Sequence, residues 1–134
     1  SKPELQKICL FAAILCWIAN EDSRIDLTEK DFIIETLTDI CGLNQDIANC
    51  ILEVANSIDI SELQLSQLVR SLGDATEEEE RHKLFMILAE MVSIDKILTT
   101  HECECLRTVA LYLEIRKSVW YKAMEDINLK TTFS

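Results

Sequence analysis

The sequence predicts an all-α protein, a single seven-helix bundle built from an internally duplicated helical unit about a pseudo-two-fold axis. Three observations carry this expectation. The 134 residues include only 2 Gly and 1 Pro, too few for the tight turns of an all-β sandwich. Apolar residues recur at three- and four-residue spacing in one segment after another. A chain this long can bury roughly two-thirds of the surface exposed by its unfolded form, so one core suffices.

The first helix, about Pro3 to Asn20, opens with proline at a position where the missing N–H is tolerated. Its second half is apolar nearly all round, which suits the middle of a bundle. A second helix, about Thr28 to Cys41, places Phe32, Ile33, Leu37 and Ile40 on one face and stops at Gly42. Asn44 caps a third, which runs to about Asn56 with Ile47, Ile51, Leu52 and Val54 as its apolar set. The fourth, about Ser61 to Leu72, turns Leu65, Leu68, Val69 and Leu72 inward, between an Asp59/Glu62 capping box and Gly73. Glu77 to Ile94 forms the fifth, started by a Thr76/Glu79 capping box with acids in its first turn. The sixth runs from about Thr100 to Leu113 through Leu106, Val109, Ala110 and Leu113. A last helix, about Lys117 to Asn128, uses Val119, Trp120, Ala123, Met124 and Ile127. The expected centre is Phe11, Leu15, Leu84, Phe85 and Leu88.

The charge balance narrows the partners. A formal net charge of −11 repels a phosphate backbone, and no helix carries a Lys/Arg stripe, so nucleic acid is not an expected partner. Anionic membrane surfaces are disfavoured for the same reason, and cations or basic protein surfaces are favoured. The longest apolar run, Ile8 to Ala19, has 12 residues against the roughly 20 needed to cross a bilayer. With no secretory pattern at the start, the expectation is a cytoplasmic protein without membrane insertion. Cys9, Cys16, Cys41, Cys50, Cys103 and Cys105 lack C-x-x-C spacing and are expected to be reduced, mostly buried thiols. His82 and His101 read as surface residues.

The chain repeats itself. A shift of 73 places sets Phe11 on Leu84, Leu15 on Leu88, Asp22 on Asp95, Ile25 on Leu98, Glu29 on Glu102 and Ile33 on Leu106. An internal duplication is the expected cause. The two apolar helices, first and fifth, are expected to pack on one another and to bring the polar turns "NEDSRIDLTE" and "SIDKILTTHE" into related positions.

An Ala/Leu/Phe-rich helix, the turn D-x-x-[IL]-x-x-x-E, a helix ending near "CGLN" and then a second copy together resemble the TerB-like family. That family is known from tellurite-resistance proteins and from the N-terminal part of a membrane-anchored co-chaperone. The likeness spans about Leu5 to Ile127, with repeat units about 5–58 and 78–128 in one domain covering 1–134. This sequence departs from the family's usual A-D-G turn, with Ser23 after Asp22 and Lys96 after Asp95, and "YLEIRKS" stands where a leucine-glycine pair is common. No J-domain His-Pro-Asp motif occurs, so co-chaperone activity is not carried over.

The resemblance implies an all-helical domain of bacterial stress-associated systems, with metal binding through acidic residues. Carried over by position, the candidate ligands are Asp22, Glu29, Asp95 and Glu102. An oxygen-only set favours Ca²⁺ or Mg²⁺ over Zn²⁺. The same residues have a structural explanation, and it is preferred. Asp26 to Glu29 is D-x-x-E and Thr99 to Glu102 is T-x-x-E, which puts each glutamate at N3 of a capping box. Asp22 and Asp95 can likewise accept turn N–H groups. No nucleophile, phosphate-loop or zinc-protease motif is present, so no catalytic residue is assigned. The expected function is therefore a non-enzymatic protein-interaction or adaptor module of a stress or tellurite/metal-resistance response, without a cofactor. The alternative is a divalent-cation-binding domain that uses the paired acidic turns.

Overall fold

The helical spacing is realised as seven α-helices in a computed structural model, which describes residues 2–19, 27–57, 62–94 and 97–133. In order these are α1 (Lys2–Ala19), α2 (Leu27–Glu35), α3 (Gln45–Ser57), α4 (Glu62–Asp74), α5 (Glu78–Val92), α6 (Thr100–Tyr112) and α7 (Lys117–Lys130). Helix α1 is the hub, as its apolar second half requires. Phe11, Ala12, Ile14, Leu15, Cys16 and Ile18 are all buried, because neighbours surround α1 on α3, α4, α5 and α6. Its main partners are α3 and α4, whereas its contact with α5 is short. The expected central pairing of the two apolar helices is thus only a minor part of the packing. Phe85, Leu88, Met91 and Val92 of α5 join the same core, but Leu84, expected at the centre, is half-buried. None of the described helices is long and apolar enough to cross a membrane.

Several local expectations need correction. Helix α2 does not continue regularly to Cys41, because residues Thr36–Ile40 form a π turn. The extra residue in an i→i+5 turn shifts the helical register. Ile33 and Leu37 stay buried and Thr36 joins them, while Ile40 is carried out to 62% exposure. Gly42 does end this segment, with φ of 74°, the left-handed conformation that glycine adopts without strain. In α3, Asn44 caps the helix as expected, its Oδ1 accepting from the Ile47 N–H at 2.9 Å. The buried face, however, is Ala48, Leu52 and Ala55, and Ile47 and Val54 are exposed. Two alanines let α1 approach closely, which leaves the larger residues at the edge of the contact.

Gly73 does not terminate α4, which runs through it to Asp74. A Cβ there would meet only Leu113 Cδ2 and Tyr112 O, each at 3.6 Å. Thr76 does not cap α5. Its hydroxyl donates to Leu72 O at 2.8 Å, and α5 starts after Glu77 without a side-chain cap. Asp59 of the other expected capping box lies outside the described residues. After α6 the chain turns through Glu114 with φ of 56°, so a glutamate occupies a left-handed position where glycine is usual. One small element was not anticipated. Ile97–Leu98 (β1) pairs in parallel with Thr132–Phe133 (β2), fastening the C-terminal segment beside the second polar turn.

The thiols also differ from expectation. All six are free, but only Cys16 and Cys105 are buried, Cys41 and Cys103 are intermediate, and Cys9 and Cys50 are exposed. Cys9 lies within the apolar run but ahead of Phe11, where the buried part of α1 begins, and Cys50 lies off the narrow buried face of α3. Burial pushes the Cys16 thiol up to about 12, because a thiolate is disfavoured among apolar neighbours.

Candidate functional site

Of the four acidic candidates, the structure describes two. Asp22 and Asp95 lie outside the described residues. Glu29 sits in the first turn of α2, half-buried. Glu102 is buried at 5% exposure at the third position of α6. Its Oε1 accepts from the Thr99 N–H at 3.1 Å and from the Thr99 hydroxyl at 3.1 Å. The Glu102 N–H in turn donates to Thr99 Oγ1 at 3.2 Å. This reciprocal pair is a capping box, and it satisfies two donors that a helix start would otherwise leave open. The carboxylate is also well placed at the positive end of the helix dipole. One oxygen of Glu102 is thereby committed to the backbone. Among the described residues no group of three or more His, Cys, Asp or Glu side chains converges to hold a metal ion.

A second cluster was not foreseen from sequence. The Trp17 indole of α1 stacks on the His101 ring of α6, with centroids 5.1 Å apart and an interplanar angle of 29°. Cys105, one turn further along α6, places Sγ 3.5 Å from His101 Nε2. The three border a cavity of about 410 Å³ between α1, α4 and α6, whose wall also includes Leu65, Arg107 and Tyr112. Nearby, the Arg70 guanidinium lies 4.8 Å over the Tyr112 ring, and Arg81 donates to Thr76 O. The available signal was the i, i+4 spacing of His101 and Cys105, which places them on one helix face; the Trp17 contact is tertiary and leaves no such trace. A thiol, an imidazole and an indole make a packed polar seam, and no reaction follows from them.

The third feature is the outer face of α3. Ile47, Cys50, Ile51 and Val54 follow i, i+3, i+4, i+7 spacing and so share an arc about 100° wide. Ile47 is 44% and Val54 57% exposed, Cys50 is exposed, and Ile51 is half-buried. The π turn that abuts α3 adds the exposed Ile40. Asp46 and Glu53 are exposed along one edge of this strip, and Asp39 is exposed in the π turn. Residues 31–69 contain Asp31, Glu35, Asp39, Asp46, Glu53, Asp59 and Glu62 but no Lys or Arg. These 39 positions therefore hold −7 of the net −11.

Comparison with known proteins gives one match. A family model described as "Tellurite resistance protein TerB" matches residues 10–125, which is nearly the whole chain and includes all three features above. No curated protein and no solved structure matches the chain.

Proposed function

Because the chain belongs to the TerB family of tellurite resistance proteins, we propose that it is a non-enzymatic protein-interaction module, an adaptor in a bacterial stress or tellurite/metal-resistance response. The observation that carries this reading is the surface of α3, where large apolar side chains stand in water beside the exposed Asp46 and Glu53. Isolated exposed apolar residues are ordinary, but a contiguous strip with helical spacing marks a contact site. The same reading treats the two halves as copies of one unit. Its support is that α1 packs on α3 as α5 packs on α7, and that Lys7 and Glu80, partners at 3.4 Å, are 73 positions apart, the shift that aligns the halves. Residues near a two-fold axis meet their own equivalents.

The test is affinity capture of the tagged chain from its host cells, grown with and without tellurite. The expected result is one discrete protein recovered in near-stoichiometric amount. A chain that elutes alone under both conditions contradicts the proposal. The cation-binding alternative draws its ligands Asp22, Glu29, Asp95 and Glu102 from the paired acidic turns, and the commitment of Glu102 Oε1 to Thr99 counts against it.

A further inference from the structure

Helix α3 presents more apolar surface than its own neighbours cover. Ala48, Leu52 and Ala55 face inward, toward α1 and α2. At about 100° per residue, Ile47, Ile51, Val54 and Cys50 occupy the arc beside that buried face, and Asp46 and Glu53 fall together on the far side of it. The helix has 13 residues, about 20 Å of length, enough to meet two to three turns of another helix. Resting on the interaction-module reading, we infer that this surface is the docking site for a basic amphipathic helix of a partner protein.

The charge distribution selects this occupant. A partner helix that fills the strip with residues at i, i+3, i+4 and i+7 brings its flanking positions against Asp46 and Glu53, where Lys or Arg is attracted and Asp or Glu repelled. A second copy of this chain does not fit. A two-fold contact through α3 would set Asp46 and Glu53 of one copy against the same acids of the other. An anionic bilayer is repelled for the same reason.

The probe is a fluorescein-labelled 18-residue peptide with Leu at i, i+3, i+4, i+7 spacing and Lys elsewhere, titrated with the full chain by anisotropy at near-physiological salt. Saturable binding is expected. The Ile47→Ser/Val54→Ser variant should bind about tenfold more weakly, about 1.4 kcal/mol for the pair, since a few central anchors carry most of an interface's energy. The Asp46→Asn/Glu53→Gln variant should bind severalfold more weakly and with a shallower salt dependence. The Glu125→Gln/Asp126→Asn variant on α7 should bind like the parent, and a Leu/Glu peptide of the same pattern should not bind. Both α3 variants change exposed residues, and their circular dichroism and melting are expected to be those of the parent; if the serine variant is unfolded, the charge variant decides.

The inference is overturned by absence of binding, by equal binding of the α3 variants, by equal binding of the Leu/Glu peptide, or by a dimer that the serine variant abolishes. Repeating the capture from host cells with the serine variant separates the two levels. A partner retained by the variant removes the α3 site and leaves the adaptor reading standing, whereas a parent chain that captures nothing removes the adaptor reading itself.

Discussion

Replacing Glu102 distinguishes a cap from a cation ligand, because the two roles respond differently to loss of charge alone. Glu102→Ala removes the acceptor of the Thr99 N–H and hydroxyl, both at 3.1 Å. Losing a cap amounts to about 0.5–2 kcal/mol, and a donor left without a partner in a buried setting adds about 1–3 kcal/mol. Thr99 is half-buried, so water can recover part of the second contribution, and the expected loss is about 1–3 kcal/mol. Glu102→Gln keeps an acceptor oxygen in place. It gives up the interaction of the charge with the helix dipole, about 0.3–1 kcal/mol. Thr99→Ala should resemble Glu102→Ala, and the double variant should lose less than the two singles added, since they share one box. Urea unfolding followed by circular dichroism measures all four, in chelator and again in millimolar Ca²⁺ or Mg²⁺. Equal losses for Gln and Ala, or a Gln loss that appears only with the metal, would refute the capping argument, since an ion needs the negative charge and a cap does not.

Further outcomes follow from the packing. Leu15 is fully buried at the hub of the bundle, so Leu15→Ala should destabilise by about 2–5 kcal/mol in the same denaturation assay, and a loss below about 0.5 kcal/mol would remove it from the core. Brief alkylation followed by peptide mass spectrometry should label Cys9 and Cys50 first and Cys16 and Cys105 only on unfolding. Because the folded Cys16 holds its proton up to about 12 while the unfolded thiol releases it near 9.0, its contribution is intact below pH 9 and is lost as the pH rises toward 12; a Cys16→Ala variant with an unchanged alkaline stability profile would contradict this. Finally, Gly73→Ala should stabilise by up to about 0.5–1 kcal/mol, since the new methyl meets only ordinary contacts at 3.6 Å in the last turn of α4. Glu114→Gly should be neutral to stabilising by about 1 kcal/mol through relief of its left-handed backbone, and destabilisation by either substitution would contradict the local geometry.

The helices were legible because their signals are local. Apolar spacing places α1, α5, α6 and α7 within a few residues of their observed ends, and Asn44, Gly42 and the Thr99/Glu102 pair punctuate the chain as their chemistry dictates. The misses have tertiary causes. A π turn cannot be read from spacing, and it alone carries Ile40 out of the core face. Thr76 and Glu79 have the spacing of a capping box, but the Thr76 hydroxyl is taken by the last turn of α4. Periodicity makes Ile47 and Val54 core residues, because a strip of apolar side chains looks the same whether the chain covers it or a partner does. The Trp17–His101 stack joins residues 84 positions apart by packing alone. Composition indicated an acidic protein; only the fold shows that Asp46 and Glu53, within the stretch lacking Lys and Arg, stand exposed beside the apolar strip of α3.

The most direct test of an interaction module that docks through α3 is site-specific photocrosslinking in the host cell. A photoreactive benzoylphenylalanine in place of Val54, on the exposed strip, and another in place of exposed Lys122 on α7, report contacts without purification. The account predicts one discrete crosslinked protein from the Val54 position, whose attached peptide is a Lys/Arg-rich amphipathic segment, and none from the Lys122 position. A crosslink from Lys122 with nothing from Val54, or a Val54 adduct to another copy of this chain, would contradict it.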